Sequence, residues 1–137
     1  MNLYWYLKYK PDAQSLEMEP SGPARWTLPP ALRAKIRPGH RIVLAVWDDV
    51  GQMGRVAAFA VCTSLRGNEA IVTWSPSDTV LRPLAQGMQH WRNKDFFAFA
   101  DSVVIRYRLD DLFEEHFGEF TPVPRVAPTR PMGLRPF

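Results

Sequence analysis

At 137 residues, with 46% hydrophobic and 23% charged residues, the chain suits one domain with a single sizeable core and is too apolar to be disordered. Seventeen Lys and Arg against fourteen Asp and Glu leave a formal charge of +3, which tolerates polyanion binding without demanding it. One cysteine excludes an internal disulfide, and no apolar run approaches the ~20 residues that cross a bilayer. With no signal-peptide pattern at the start, the expected setting is the cytoplasm, away from membranes.

The chain opens with "MNLYWYLKYK", whose aromatic and aliphatic residues favour a strand from Leu3 to Tyr9. Alternation puts Leu3, Trp5, Leu7 and Tyr9 on one face, read as core. Tyr4, Tyr6, Lys8 and Lys10 fall on the other, expected at a surface or pocket rim. Pro11 and Asp12 end the strand, and residues 11–24 form a polar connection. "WTLPPALRAKI", Trp26 to Ile36, reads as one short helix capped by Thr27 and stopped by "RPGH".

Three strands then follow as a meander. "RIVLAVW" is apolar on both alternations, as in a strand buried on both faces or wrapped in a barrel. "DDVGQMG" turns the chain into "RVAAFAVCTSL", and "RGNEA" turns it again into "AIVTW". Cys62, inside "VAAFAVC", reads as a small core side chain and not a reactive thiol. Residues 75–95 read as a long loop, and "FFAFADSVVIRYRL" as renewed strand, with Val103, Ile105, Tyr107 and Leu109 inward against Arg106 and Arg108 outward. "DDLFEEHFG" is a short amphipathic helix with stripe Leu109, Leu112, Phe113, His116 and Phe117. Residues 1–120 thus make one domain, and the Pro- and Arg-rich segment 121–137 an extended tail able to reach a protein partner. The expected class is α+β: a small, curled, mostly antiparallel barrel flanked by short helices.

Enzyme signatures are missing: the sequence holds no GxSxG, P-loop, GxGxxG or HExxH. The histidines have no metal-like spacing, the carboxylate pairs sit in a turn or on the last helix, and neither a catalytic group, a metal nor a cofactor is expected. The aromatics carry more information. Trp5, Trp47, Trp74 and Trp91 lie on or near strand ends, either as core plugs or as parts of a cage. A ring face stacks on a nucleobase for about 1–3 kcal/mol. Trp47, Trp74 and His90 are candidate contacts on this argument, with Lys8, Lys10, Arg41, Arg106 and Arg108 available to phosphates.

"YWYLKYKPDAQSLE" resembles the opening of the EVE domain, a PUA-like family related to the YTH domains, with Tyr4, Trp5, Lys8, Pro11, Asp12, Ser15 and Glu17 in the matching positions. "ARW" at 24–26, "IRPGHRIVLAVW", "GRVAAFAVC" and "FFAFADSVVIRYRLDDL" are similar to later family segments, so the resemblance touches most of residues 3–117 and is strongest in the first seventeen. It departs where "TLPPALRAK" replaces the family's Asp-Gly-Val-Arg-Asn, and where Ala45, Val46 and Trp47 replace Tyr-His-Ser. The resemblance implies a non-enzymatic PUA-like module that holds a modified base of DNA or RNA, with Lys8, Ser15 and Trp26 as the carried-over ligand residues. The rival expectation is an adaptor domain that kept the fold, lost the base pocket and binds a protein.

Overall fold

The computed structural model describes residues 2–14, 16, 23–82 and 94–117. Ser15, His90 and the tail 121–137 lie outside them.

The molecule is a mixed α+β fold built on one sheet of seven strands. Strand β1 spans Tyr4–Lys8, β2 Ala24–Thr27, β3 Arg41–Asp48, β4 Met53–Arg66, β5 Glu69–Pro76, β6 Val80–Leu81 and β7 Phe96–Ala98. Their spatial order is β2-β5-β4-β3-β1-β7, with β6 paired to β4, and the sheet stays open among the described residues instead of closing into the expected barrel. The expected β3–β4–β5 meander is present and antiparallel. Its second turn uses Gly67 at φ +55°, a left-handed conformation that glycine adopts without strain. Among the described residues the one parallel pair is β1 with β3, Tyr4 to Lys8 against Arg41 to Ala45. A parallel pair needs a crossover, here β2 and the short helix α1, Pro30–Arg33.

Both sheet faces are covered. On one, Trp5, Leu7, Ile42, Leu44, Val72 and Trp74 pack with Trp26, Leu28 and the α1-side residues Leu32 and Ile36. On the other, Tyr4, Tyr6, Val43, Phe59 and Val61 pack beneath helices α2, Asp101–Tyr107, and α3, Leu109–Phe117, through Val104, Leu109 and Phe113. This two-sided burial explains the unbroken apolar runs of β3 and β4. It also corrects the reading of β1: Tyr4 and Tyr6 are not a surface row but fully buried, because α2 and α3 cover that face. The tryptophan-bearing face is built by size matching. Trp74 lies opposite Ala60 and Trp26 opposite Ala70, so each indole is paired across strands with a small residue.

Two further expectations fail for identifiable reasons. The helix expected from Trp26 does not begin until Pro30. Leu28 and Pro29 each precede a proline and are driven to extended backbone, with Pro29 at φ −56°, ψ 140°, while Trp26 is committed to β2. "DSVVIRY" is helix α2 where alternation suggested a strand. Asp101 opens the helix and Arg106 lies in its last turn, as its dipole favours, and winding up puts Val104 in the core at the expense of leaving Ile105 60% exposed. Among the described residues no helix is long and apolar enough to cross a membrane.

Candidate binding cleft

The C-terminal end of β1 opens onto a cleft of about 330 Å³, lined by Leu7, Lys8 and Lys10 from β1 and its continuation, Ala13 and Gln14 from the following turn, Thr27 to Pro30, and Asp95. Leu7 and Leu28, each 2% exposed, form an apolar floor that belongs to the core beneath. Pro11 and Asp12 send the chain into a turn in which Ala13 and Gln14 N–H both donate to Lys10 O, at 2.8 and 3.0 Å. Gln14 then locks the wall. Its Oε1 accepts from Lys10 N–H at 2.7 Å, and its Nε2 donates to Thr27 O at 3.3 Å, so a buried amide ties the turn to β2. Thr27 N–H donates to Ala13 O at 3.1 Å and completes that tie.

The cleft's charge is set by three side chains. Asp95 accepts from Lys10 Nζ at 3.1 Å and lies 3.8 Å from Lys8 Nζ. Lys10 and Asp95 are about half exposed and Lys8 is one third exposed, so these pairs are weak, and an incoming anion can compete with Asp95 for either ammonium. The net charge of the trio is positive.

The other candidates lie elsewhere. Trp26, 0% exposed, and Trp74, 4%, are locked in the core and present no free ring face. Trp47 belongs to the opposite face of the sheet, at the β3–β4 hairpin, where its indole N–H donates to Asp49 at 2.9 Å. The three indoles therefore do not converge into a cage: Trp26 and Trp74 are buried in one core layer, and Trp47 lies on the other face of the sheet, opposite Gly54. No aromatic ring lines the cleft among the described residues.

Arg41 is a structural residue rather than a phosphate contact. Its side chain is 15% exposed, its guanidinium sits 3.9 Å from the centre of the Phe113 ring, and it donates to Tyr4 Oη at 2.6 Å and to Asp110 at 3.2 Å. Tyr4 Oη in turn donates to Asp110 at 2.7 Å. Burial, reinforced by this bond, raises the Tyr4 pKa and keeps the phenol protonated. Partial burial works against the charge on Asp110, yet hydrogen bonds from Tyr4 and Asn2 with the Arg41 charge hold its carboxyl below the usual carboxylate range. Arg108, left-handed at φ 56° between α2 and α3, bonds Asp111, while Arg106 is exposed on α2. Both helices cover the face of the sheet away from the cleft floor.

His40 is partly buried: its Nδ1 accepts from the Trp5 indole and from Arg37 N–H, both at 3.1 Å. Burial and then the Arg37 charge lower its pKa. Burial pushes the Cys62 thiol up to about 11, in keeping with an inert core side chain. Sequence reasoning missed Gln14, Leu28 and Asp95. A glutamine two residues past a Pro-Asp turn is the one available signal for Gln14; Asp95 carries none, since its role depends on β7 pairing with β1.

The chain matches no protein-family model, no curated protein and no solved structure.

Proposed function

We propose that the chain is a non-catalytic nucleic-acid-binding module of the PUA-like, EVE type, taking a nucleobase into the cleft at the end of β1. The observation that carries this reading is the pairing of an apolar floor, Leu7 and Leu28, with two lysines, the partly exposed Lys8 and the exposed Lys10, at one mouth. About 330 Å³ lies at the small end of ligand pockets and suits a base-sized ring. The base packs against Leu28 and the prolines at 29 and 30, and the lysines take the flanking phosphates. An unstacked base recovers the few kcal/mol of leaving its helix through such contacts.

A second reading, an adaptor that kept the fold without a base pocket, is favoured by the absence of any ring at the cleft among the described residues. Fluorescence polarisation separates the two. Labelled DNA and RNA, unmodified or carrying methylated or hydroxymethylated cytosine or methylated adenine, are titrated at low and moderate salt. The base-binding reading expects a preference for one strand that persists as salt rises and is lost in Lys8→Glu/Lys10→Glu. Equal binding of all strands that vanishes with salt, or no binding, removes it.

A further inference from the structure

We propose that the outer edge of β7 docks an extended, acidic peptide segment of another protein, which adds to the sheet as its next strand. This stands whether or not the cleft takes a base.

The argument begins with the hydrogen bonds of β7. It pairs antiparallel with β1 in the register Tyr6↔Phe97. Lys8 N–H donates to Asp95 O at 2.8 Å and Phe99 N–H to Tyr4 O at 2.9 Å. Antiparallel bonding alternates, so the main-chain groups of residues 95, 97 and 99 turn toward β1 while those of Phe96 and Ala98 turn away. β7 ends the sheet, and among the described residues nothing pairs with the outward N–H and C=O groups of Phe96 and Ala98. A row of alternating donors and acceptors is matched by another peptide strand, which offers both in the same spacing; a phosphate chain offers acceptors alone.

The edge is also shaped to receive side chains. A groove of about 510 Å³ runs along it, lined by Trp5, Phe96, Phe97, Ala98, Lys35 and Lys94 together with Asp95. Ala98 is the cross-strand neighbour of Trp5, and its small side chain leaves the indole reachable from the edge. An added strand would set alternate residues over Trp5 and Phe96 on one face and over Phe97 on the other.

Charge selects the partner. Lys35 and Lys94 are exposed and have no ion pair among the described residues, whereas the one acid of the groove, Asp95, already has Lys8 and Lys10 beside it. An incoming strand therefore meets two unneutralised ammonium groups beside an aromatic wall. Acidic side chains alternating with apolar ones satisfy both.

The test pans a display library of randomised heptapeptides against the purified chain and in parallel against Ala98→Pro. Proline there deletes an outward N–H while sparing the bonds from residues 95 and 99 to β1. Lys35→Glu/Lys94→Glu, two exposed changes, provides a variant whose folding is not at stake. The proposal expects acidic, alternating sequences to be enriched on the wild type. It expects their affinity to drop at least about tenfold in both variants, and basic alternating sequences to be enriched on the charge-reversed protein. It is overturned if no sequence family is enriched on the wild type, if the enriched sequences are neutral or basic, or if they keep their affinity in the charge-reversed variant. A single-stranded oligonucleotide that displaces the peptides and itself binds Ala98→Pro undiminished would reassign the groove to nucleic acid. The cleft reading is tested with oligonucleotides on Lys8 and Lys10, so either can fail without the other.

Discussion

The two ends of β1 carry the same kinds of groups to opposite effect. At its start, Tyr4, Arg41 and Asp110 form a closed clamp, with the guanidinium between two rings and its hydrogen bonds directed inward. At its end, Lys8 and Lys10 meet Asp95 in the open, with half or more of the Lys10 and about half of the Asp95 side chain exposed. Both are ion pairs beside one strand, Arg41 with Asp110 at its start and the lysines with Asp95 at its end. The covering layer makes the difference: α3 lies over the first and no described element lies over the second. A basic residue is available to a ligand according to what packs on it, and that is decided by elements far away in sequence.

The largest expected effect is one that would blur this contrast. Trp26→Ala empties the packed space beneath the open end and is expected to cost about 3–5 kcal/mol in a denaturant titration, so any loss of binding by it reports unfolding. Arg41→Ala is next, at about 2–3 kcal/mol, because it removes charged hydrogen bonds from the buried Tyr4 and the half-exposed Asp110. Oligonucleotide affinity of the remaining folded protein should be unchanged; a drop in affinity without a drop in stability would put Arg41 back among the ligand contacts. Lys8→Ala/Lys10→Ala should do the reverse, with under about 1 kcal/mol of stability lost. The salt dependence of oligonucleotide binding should then flatten by up to about two phosphate contacts.

The smallest effect concerns His40, whose Nδ1 must be unprotonated to accept from Trp5. Its pKa is lowered on folding, so on acidification the unfolded chain takes up the proton first. Stability should therefore fall as the pH drops below the ordinary histidine value of about 6.5, and level off once His40 titrates in the folded protein. Denaturant midpoints across that window measure it. An equal slope in His40→Gln would assign the dependence to another group.

Much of the sheet is legible in the sequence because its signals are local. The β3–β4–β5 meander is written in apolar runs broken by "DDVGQMG" and "RGN", and α3 in its Leu109–Phe113 spacing. Two of the misreadings share a cause, tertiary context. Alternation in "YWYLKYK" cannot say that helices cover the tyrosine face, nor can β-branched residues in "SVVIR" say that β7 has already ended the sheet. The late start of α1 was readable, since "LPP" bars helix at Leu28 and Pro29. For the site, Lys8 and the Pro11 turn are visible in sequence, whereas the floor, Gln14 and Asp95 come together from segments more than eighty residues apart.

The position of β1 also bears on how the molecule is made. β1, earliest in sequence of the described strands, sits inside the sheet, between β3 and β7, and its register with β7 joins Trp5 to Ala98. The hairpins β3–β4 and β4–β5 can form as they emerge from the ribosome, but β1 has no neighbour on its second side until nearly a hundred residues are available. The aromatic segment "YWY" must therefore wait in the open, a sticky segment with one half-made berth. Pulse-labelled hydrogen exchange during refolding should find the amides of β4 and β5 protected before Lys8 and Phe99; simultaneous protection would mean that the sheet assembles as one piece.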